Sequence, residues 1–146
     1  MQYTKEVMDH FKNPRNMGEL QDADGVGEVG NLKCGDMMRV FIRIKTRKIQ
    51  ATRNLPAGKA GKKQTEKYIS GIKFQTLGCA AAIAASSMMT ELVKGKSIEE
   101  AKNISRDDIN DSLGKLPAQK YHCSILSANA IRKAIEDYTH RSRSPQ

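Results

Sequence analysis

The 146-residue sequence contains no tryptophan and only seven aromatic side chains, four Tyr and three Phe. So few rings exclude the serial stacking platform on which single-stranded nucleic-acid binders rely. The longest apolar run is Cys79 to Ala85, far below the roughly 20 residues that cross a bilayer, so no membrane span is expected. The opening residues, Met-Gln-Tyr-Thr-Lys-Glu, place no apolar stretch behind a basic start and read as no secretory signal. Cysteine is scarce as well, with three in the chain. Three cannot all pair within one chain, and nothing points to export, so a reducing, cytoplasmic setting is expected. There cysteine means metal, redox chemistry or quiet burial.

Acidic residues are outnumbered 16 to 25, giving a net charge of +9. Such an excess invites a nucleic-acid reading, but it is local. Between Thr46 and Lys73 lie eight basic residues against the single acid Glu66, and only one aromatic, Tyr68. The remainder is nearly balanced, and neither nucleic acid nor membrane is an expected partner.

Residues 3–12 carry Tyr3, Val7, Met8 and Phe11 at helical spacing and predict a short amphipathic helix, ended by Asn13-Pro14 and Gly18. Gly25, Gly27 and Gly30 predict a turn or short edge strand. After Cys34-Gly35-Asp36, the alternation of Met38, Val40, Ile42 and Ile44 against Arg39, Phe41, Arg43 and Lys45 predicts a half-buried strand. Residues 53–65, with Pro56, Gly58, Gly61 and several Lys, read as a loop closing an elongated hairpin whose second strand runs from Tyr68 to Thr76. Cys79 then opens an Ala-rich helix with Ile83, Met88, Leu92 and Val93 as its stripe, stopped by Gly95. Ser97 with Glu100 and Ser105 with Asp108 have the capping-box form and start two short helices. Beyond Pro117 a last helix is expected over about His122 to Tyr138, with a frayed polar tail from Thr139. Segregated strands and helices predict an α+β domain, with helices over one face of a small antiparallel sheet.

Each cysteine falls at an element boundary: Cys34 before a strand, Cys79 and Cys123 at helix starts. A thiol at a helix N-terminus meets unpaired N–H groups and the positive end of the dipole, which favours thiolate, the form that binds metal and attacks sulfur. Asp36 lies two residues after Cys34, and His122 directly precedes Cys123. Taken singly, a free cysteine is more often core than ligand. Taken together, three thiolates with a carboxylate and an imidazole suit tetrahedral zinc or an iron–sulfur cluster. No close Cys pair exists, and more than forty residues separate each cysteine from the next. Any shared site is therefore assembled by the fold.

The stretches Val7 to Gly18, Val29 to Met38, Phe74 to Ser87, Glu91 to Lys96 and Lys120 to Leu126 resemble the iron–sulfur cluster assembly scaffolds, the family of the NifU N-terminal domain and its single-domain IscU relatives. The resemblance covers the chain nearly end to end except the basic stretch. It implies an α+β fold with a small antiparallel three-stranded sheet and helices mainly on one face. It implies that Cys34, Cys79 and Cys123 bind the cluster, with Asp36 or His122 as the fourth ligand and Lys120 near the site. It further implies a non-enzymatic carrier that takes persulfide sulfur from a cysteine desulfurase, with Cys123 the candidate acceptor. Such a carrier binds iron, builds a labile [2Fe–2S] cluster and passes it to acceptor proteins. One oxygen ligand among sulfurs is expected to ease release, because carboxylate is hard and thiolate soft.

The chain departs from the family in three places. The Leu-Pro-Pro-Val-Lys read by a specialised Hsp70 chaperone in many members stands here as Leu116-Pro117-Ala118-Gln119-Lys120, so chaperone-assisted release is not carried over. Ala80 and Ala81 replace the usual Gly-Ser after the second cysteine. The basic stretch is longer than usual. The expected organisation is one domain over residues 1–140 with a basic hairpin insertion at 46–73 and a flexible tail at 141–146. A related branch holds zinc and acts in sulfur transfer. Its extra segment lies between the second and third cysteines, and its His is absent. Here the extra residues precede Cys79 and His122 is present, which favours the scaffold and leaves zinc for the cluster-free form.

Overall fold

A computed structural model describes residues 2–31, 35–49 and 65–143. Cys34 and most of the expected 53–65 loop lie outside the described residues. Helix α1 (Lys5–Lys12) leads to strands β1 (Gly25–Asn31), β2 (Asp36–Lys48) and β3 (Thr65–Leu77). Helices α2 (Ala80–Val93), α3 (Ile98–Lys102) and α4 (Arg106–Ser112) follow, then a 3-10 turn (Ala118–Lys120) and the long α5 (Tyr121–Arg143). The sheet is antiparallel throughout, in the order β1-β2-β3. The architecture is the expected α+β one.

Alternation on β2 and β3 places Met38, Val40 and Ile42 beside Thr76, Phe74 and Ile72 on the helix-facing side, and all but Thr76 are buried. A register shift at Arg43/Ile44 brings Ile44 opposite Ile69. Helices α2 and α5 fill the space above. Helix α5 lies directly on β1 because Gly25 and Gly27 have no side chain. A Cβ on Gly27 would stand 2.4 Å from both Ala130 O and Ala134 N. The β1 backbone is pinned there by Val26 N–H donating to Asp137 Oδ2 at 2.8 Å.

Several sequence expectations are corrected. Helix α1 starts at Lys5, capped by Thr4, which accepts from Val7 N–H. It buries Val7 and His10, while Phe11 remains 38% exposed. Helix α2 is buried on most sides, so its core face consists of small residues, Ala81, Ala82, Ala84, Ala85, Ser86 and Ser87, with Met89, Thr90 and Val93. Ile83, Met88 and Leu92 are only half-buried. Phe41 is buried although it faces away from the helices. The chain between Asn16 and Asp24 runs over that outer face. Residues 16–18 pair with β3 through Gly18 N–H to Phe74 O and Phe74 N–H to Asn16 O. The chain then crosses the outer face to β1, with Leu20 beside Gly71 and Arg43 donating to Gln21 O.

Both capping boxes form as expected, Ser97 with Glu100 and Ser105 with Asp108. Helix α5 runs to Arg143, so residues 139–143 of the expected tail are helical; residues 144–146 lie outside the described residues. Arg141 pairs with Asp137 one turn earlier and donates to Ala23 O. The flanks of the basic stretch, to Lys48 and from Thr65, are ordinary paired strand.

Candidate metal centre

The site lies at the end of the sheet where β2 begins and β3 ends. Asp36 is the first residue of β2, and its side chain is buried. The β3 strand runs out at Leu77; Gly78 turns the chain, and Cys79 stands at the N-cap of α2 in an extended conformation, its side chain making no capping hydrogen bond. A Cβ at Gly78 would stand 2.6 Å from Asp36 Oδ1 and 2.9 Å from the Ala82 Cβ. Glycine is therefore what lets the Cys79 turn press against the carboxylate. From the other side, Pro117 and the 3-10 turn deliver His122 and Cys123 in the first turn of α5.

Asp36 Oδ2 accepts from His122 Nε2 at 3.1 Å. The Cys123 sulfur lies 3.6 Å from the same imidazole nitrogen and 4.0 Å from the same carboxylate oxygen. These three ligand atoms fall within 4.8 Å of one another, the one such grouping among the described residues. A soft sulfur, an imidazole and a carboxylate so disposed could seize one metal ion or one corner of a cluster. Cys79 completes the approach from the second side, half-buried where Cys123 is fully buried.

The helix-end argument does not hold for the Cys123 thiol. Burial pushes it well above its ordinary value, the neighbouring Cys79 and Asp36 charges push further, and Lys120 opposes them only weakly. Lys120, half-buried on the 3-10 turn, faces Cys79, whose negative charge and hydrogen bond raise the lysine above its usual value. Of the sequence candidates, the structure brings Asp36, Cys79, Lys120, His122 and Cys123 to one place; Cys34 lies outside the described residues.

Sequence reasoning passed over a groove of about 490 Å³ beside the site, on the outer face of the sheet, lined in part by Met17, Met37 and Leu77. Leu77 is 71% exposed and Met37 is its cross-strand partner. Each directly adjoins a site segment, Asp36 or Gly78-Cys79.

The NifU-like N-terminal domain profile matches residues 2–60 and 62–145. The chain belongs to the NifU-like N-terminal-domain family. This NifU-like chain is 52% identical over 136 residues to the iron–sulfur cluster assembly scaffold protein IscU 1 of Archaeoglobus fulgidus, covering 93% of the chain and 76% of that relative. It is 41% identical over 144 residues to the IscU scaffold of Azotobacter vinelandii, covering 97% of each. Against the IscU scaffold of Escherichia coli K12 the identity is 41%, over 94% of each. The NifU-like fold recurs in the N-terminal part of a NifU-like protein from Brucella abortus, with TM-score 0.68, 16% identity and 94% of each chain covered. A candidate SUF-system scaffold from Fervidobacterium islandicum AW-1 matches at TM-score 0.64 and 21% identity, over 91% of this chain and 96% of that one.

Proposed function

We propose that this chain is a scaffold on which an iron–sulfur cluster is assembled as cargo and then handed on. The observation that carries the reading is the meeting of Asp36, His122 and Cys123 beside Cys79 at one end of the sheet. Three chain segments distant in sequence supply those groups, as a fold-built metal site requires. The naming of relatives that share two-fifths to a half of its residues supports the same reading.

Cys79 and Cys123, with Cys34, supply thiolates to a [2Fe–2S] cluster, and Asp36 or His122 supplies the remaining contact. Sulfur arrives as persulfide from a cysteine desulfurase, and acceptor proteins take the finished cluster. The chain acts as a carrier rather than as a turnover enzyme, and it acts in the cytoplasm. Among the described residues no helix is long and apolar enough to cross a membrane.

The compact Asp36, His122 and Cys123 triad also favours a second occupant, a single zinc ion in the cluster-free chain. A zinc-loaded chain that stimulates a desulfurase without building clusters is the competing reading. Anaerobic reconstitution with ferrous iron, cysteine and a desulfurase separates the two. Visible sulfide-to-iron absorption that is lost in Cys79→Ser and Cys123→Ser supports the scaffold. A colourless, zinc-retaining protein that accelerates the desulfurase supports sulfur transfer and overturns the scaffold.

A further inference from the structure

Helix α4, the turn after it and the start of α5 line a polar pocket of about 220 Å³ that includes none of the metal-centre residues. Helix α4 supplies Arg106, Asp107 and Asp111, and α5 adds Tyr121 and Ser124. Two features mark the pocket as built for a ligand. Ser124 is 1% exposed, and its hydroxyl has no hydrogen-bond partner among the described residues. Leaving a buried hydroxyl unpaired is costly, so a partner arriving through the pocket is favoured. Lys115, also on the lining, has φ 74°, in the left-handed region that a lysine enters only at a cost. Asn110 holds that turn in place. Its carbonyl accepts from Lys115 N–H at 2.8 Å and its Oδ1 from Leu116 N–H at 2.9 Å.

The charges around the pocket balance, Arg106 and Lys115 against Asp107 and Asp111. One loose ion pair joins them, Arg106 to Asp107 at 3.8 Å with both side chains exposed. Among the described residues no salt bridge engages Lys115 or Asp111. An inorganic anion entering here meets two carboxylates, and a metal cation meets two basic groups, so each is opposed as much as it is attracted. A molecule that carries both charges finds a partner for each. The volume lies below the roughly 300 Å³ at which pockets for drug-sized ligands begin, which limits the ligand to a few heavy atoms. We infer that this pocket binds a free α-amino acid with a small side chain. Its carboxylate is held by Arg106 and Lys115, its ammonium by Asp107 and Asp111, and the bound molecule supplies the hydrogen bond that Ser124 lacks. The inference stands on this pocket alone and is independent of the scaffold reading.

The test titrates the full, isotopically labelled chain with L-alanine and follows the amide NMR shifts. Parallel titrations use propionate, which lacks the ammonium, ethylamine, which lacks the carboxylate, and inorganic phosphate. L-Alanine is expected to give saturable shifts at Asp111, Lys115, Tyr121 and Ser124. Each single-charge probe is expected to bind at least about tenfold more weakly, the loss of one charge-assisted hydrogen bond. Propionate, ethylamine or phosphate binding as tightly as L-alanine overturns the amino-acid assignment, and so does an absence of saturable shifts. Two variants test the location. Ser124→Ala removes the unpaired hydroxyl and should weaken L-alanine binding. Lys115→Gly removes a cation and installs the residue best suited to a left-handed backbone. It should keep or raise the melting temperature while weakening L-alanine binding about tenfold, a separation that a purely structural lysine would not show. Unchanged L-alanine affinity in Lys115→Gly overturns the assignment, whether or not Ser124→Ala folds.

Discussion

Gly78 shows how one missing side chain sets the chemistry of this site. A methyl there would overlap Asp36 Oδ1 and the Ala82 Cβ, and relieving such overlap costs about 1–3 kcal/mol. Displacing a group that orients metal ligands lowers affinity by roughly 10–100-fold. Gly78→Ala is therefore expected to bind zinc at least about tenfold more weakly by calorimetry while keeping its fold by circular dichroism. In the scaffold reading, Asp36 is a hard donor among soft ones. Asp36→Ala should hold a reconstituted cluster longer than the unsubstituted chain when visible absorbance is followed against a chelator. Faster loss in the variant would show that the carboxylate stabilises the cluster instead.

His10 carries a different consequence, through stability. Burial holds its ring below the ordinary imidazole value of 6.5, Arg15 adds to the effect, and Asp9 and Glu91 oppose it. The ring nitrogen Nδ1 lies 2.7 Å from Ser87 Oγ, which also accepts from Arg15 N–H. As pH falls below 6.5 the unfolded chain takes up a proton that the folded chain resists, so stability drops until pH passes the depressed folded value. Urea midpoints measured from about pH 7 to pH 5 should fall more steeply for the unsubstituted chain than for His10→Gln.

At the scale of elements, two devices place the helices. Ser97 and Ser105 each close a capping box, and removing such a cap costs about 1 kcal/mol. Ser105→Ala is expected to lower the melting temperature by about 2–4 °C in a calorimetric scan. The second device is the contact of α5 with β1. A Cβ at Gly27 would meet backbone atoms of Ala130, Lys133 and Ala134 within 3.0 Å, and backbone cannot rotate out of the way. Gly27→Ala should thus destabilise by about 1–3 kcal/mol, more than the loss of a cap, because the whole helix must lift. Since α5 carries His122 and Cys123 at its start, the same change should also weaken metal binding.

For the whole molecule, the helices and the sheet share one core: Val7 of α1, Phe74 of β3, Met89 of α2, Ile109 of α4 and Ile131 of α5 belong to a single buried cluster. Residues 1–140 are accordingly expected to unfold as one cooperative unit, with calorimetric and van't Hoff enthalpies in agreement. Two separate transitions would divide the chain. The charge excess has no comparable reach. Along the described arm Arg47 lies over the Tyr68 ring and near Glu66, and Lys67 over the Tyr138 ring, so part of the basic stretch fastens the arm to the body.

The sequence by itself determined the local patterns. Capping boxes, the alternation of β2 and β3, and the glycine stop after α2 depend on neighbours within a turn or a strand, and each appears where the residues placed it. Family motifs also singled out Asp36, Cys79, His122 and Cys123, which meet at one end of the sheet. Tertiary structure decided what depends on groups distant in sequence. It buried Phe41 on the outer face of the sheet and turned small rather than large residues of α2 to the core, because α2 is packed on most sides. It also reversed the expectation for Cys123. A helix end favours thiolate within one turn of backbone, whereas burial and the charges of Cys79 and Asp36, brought from other elements, outweigh it.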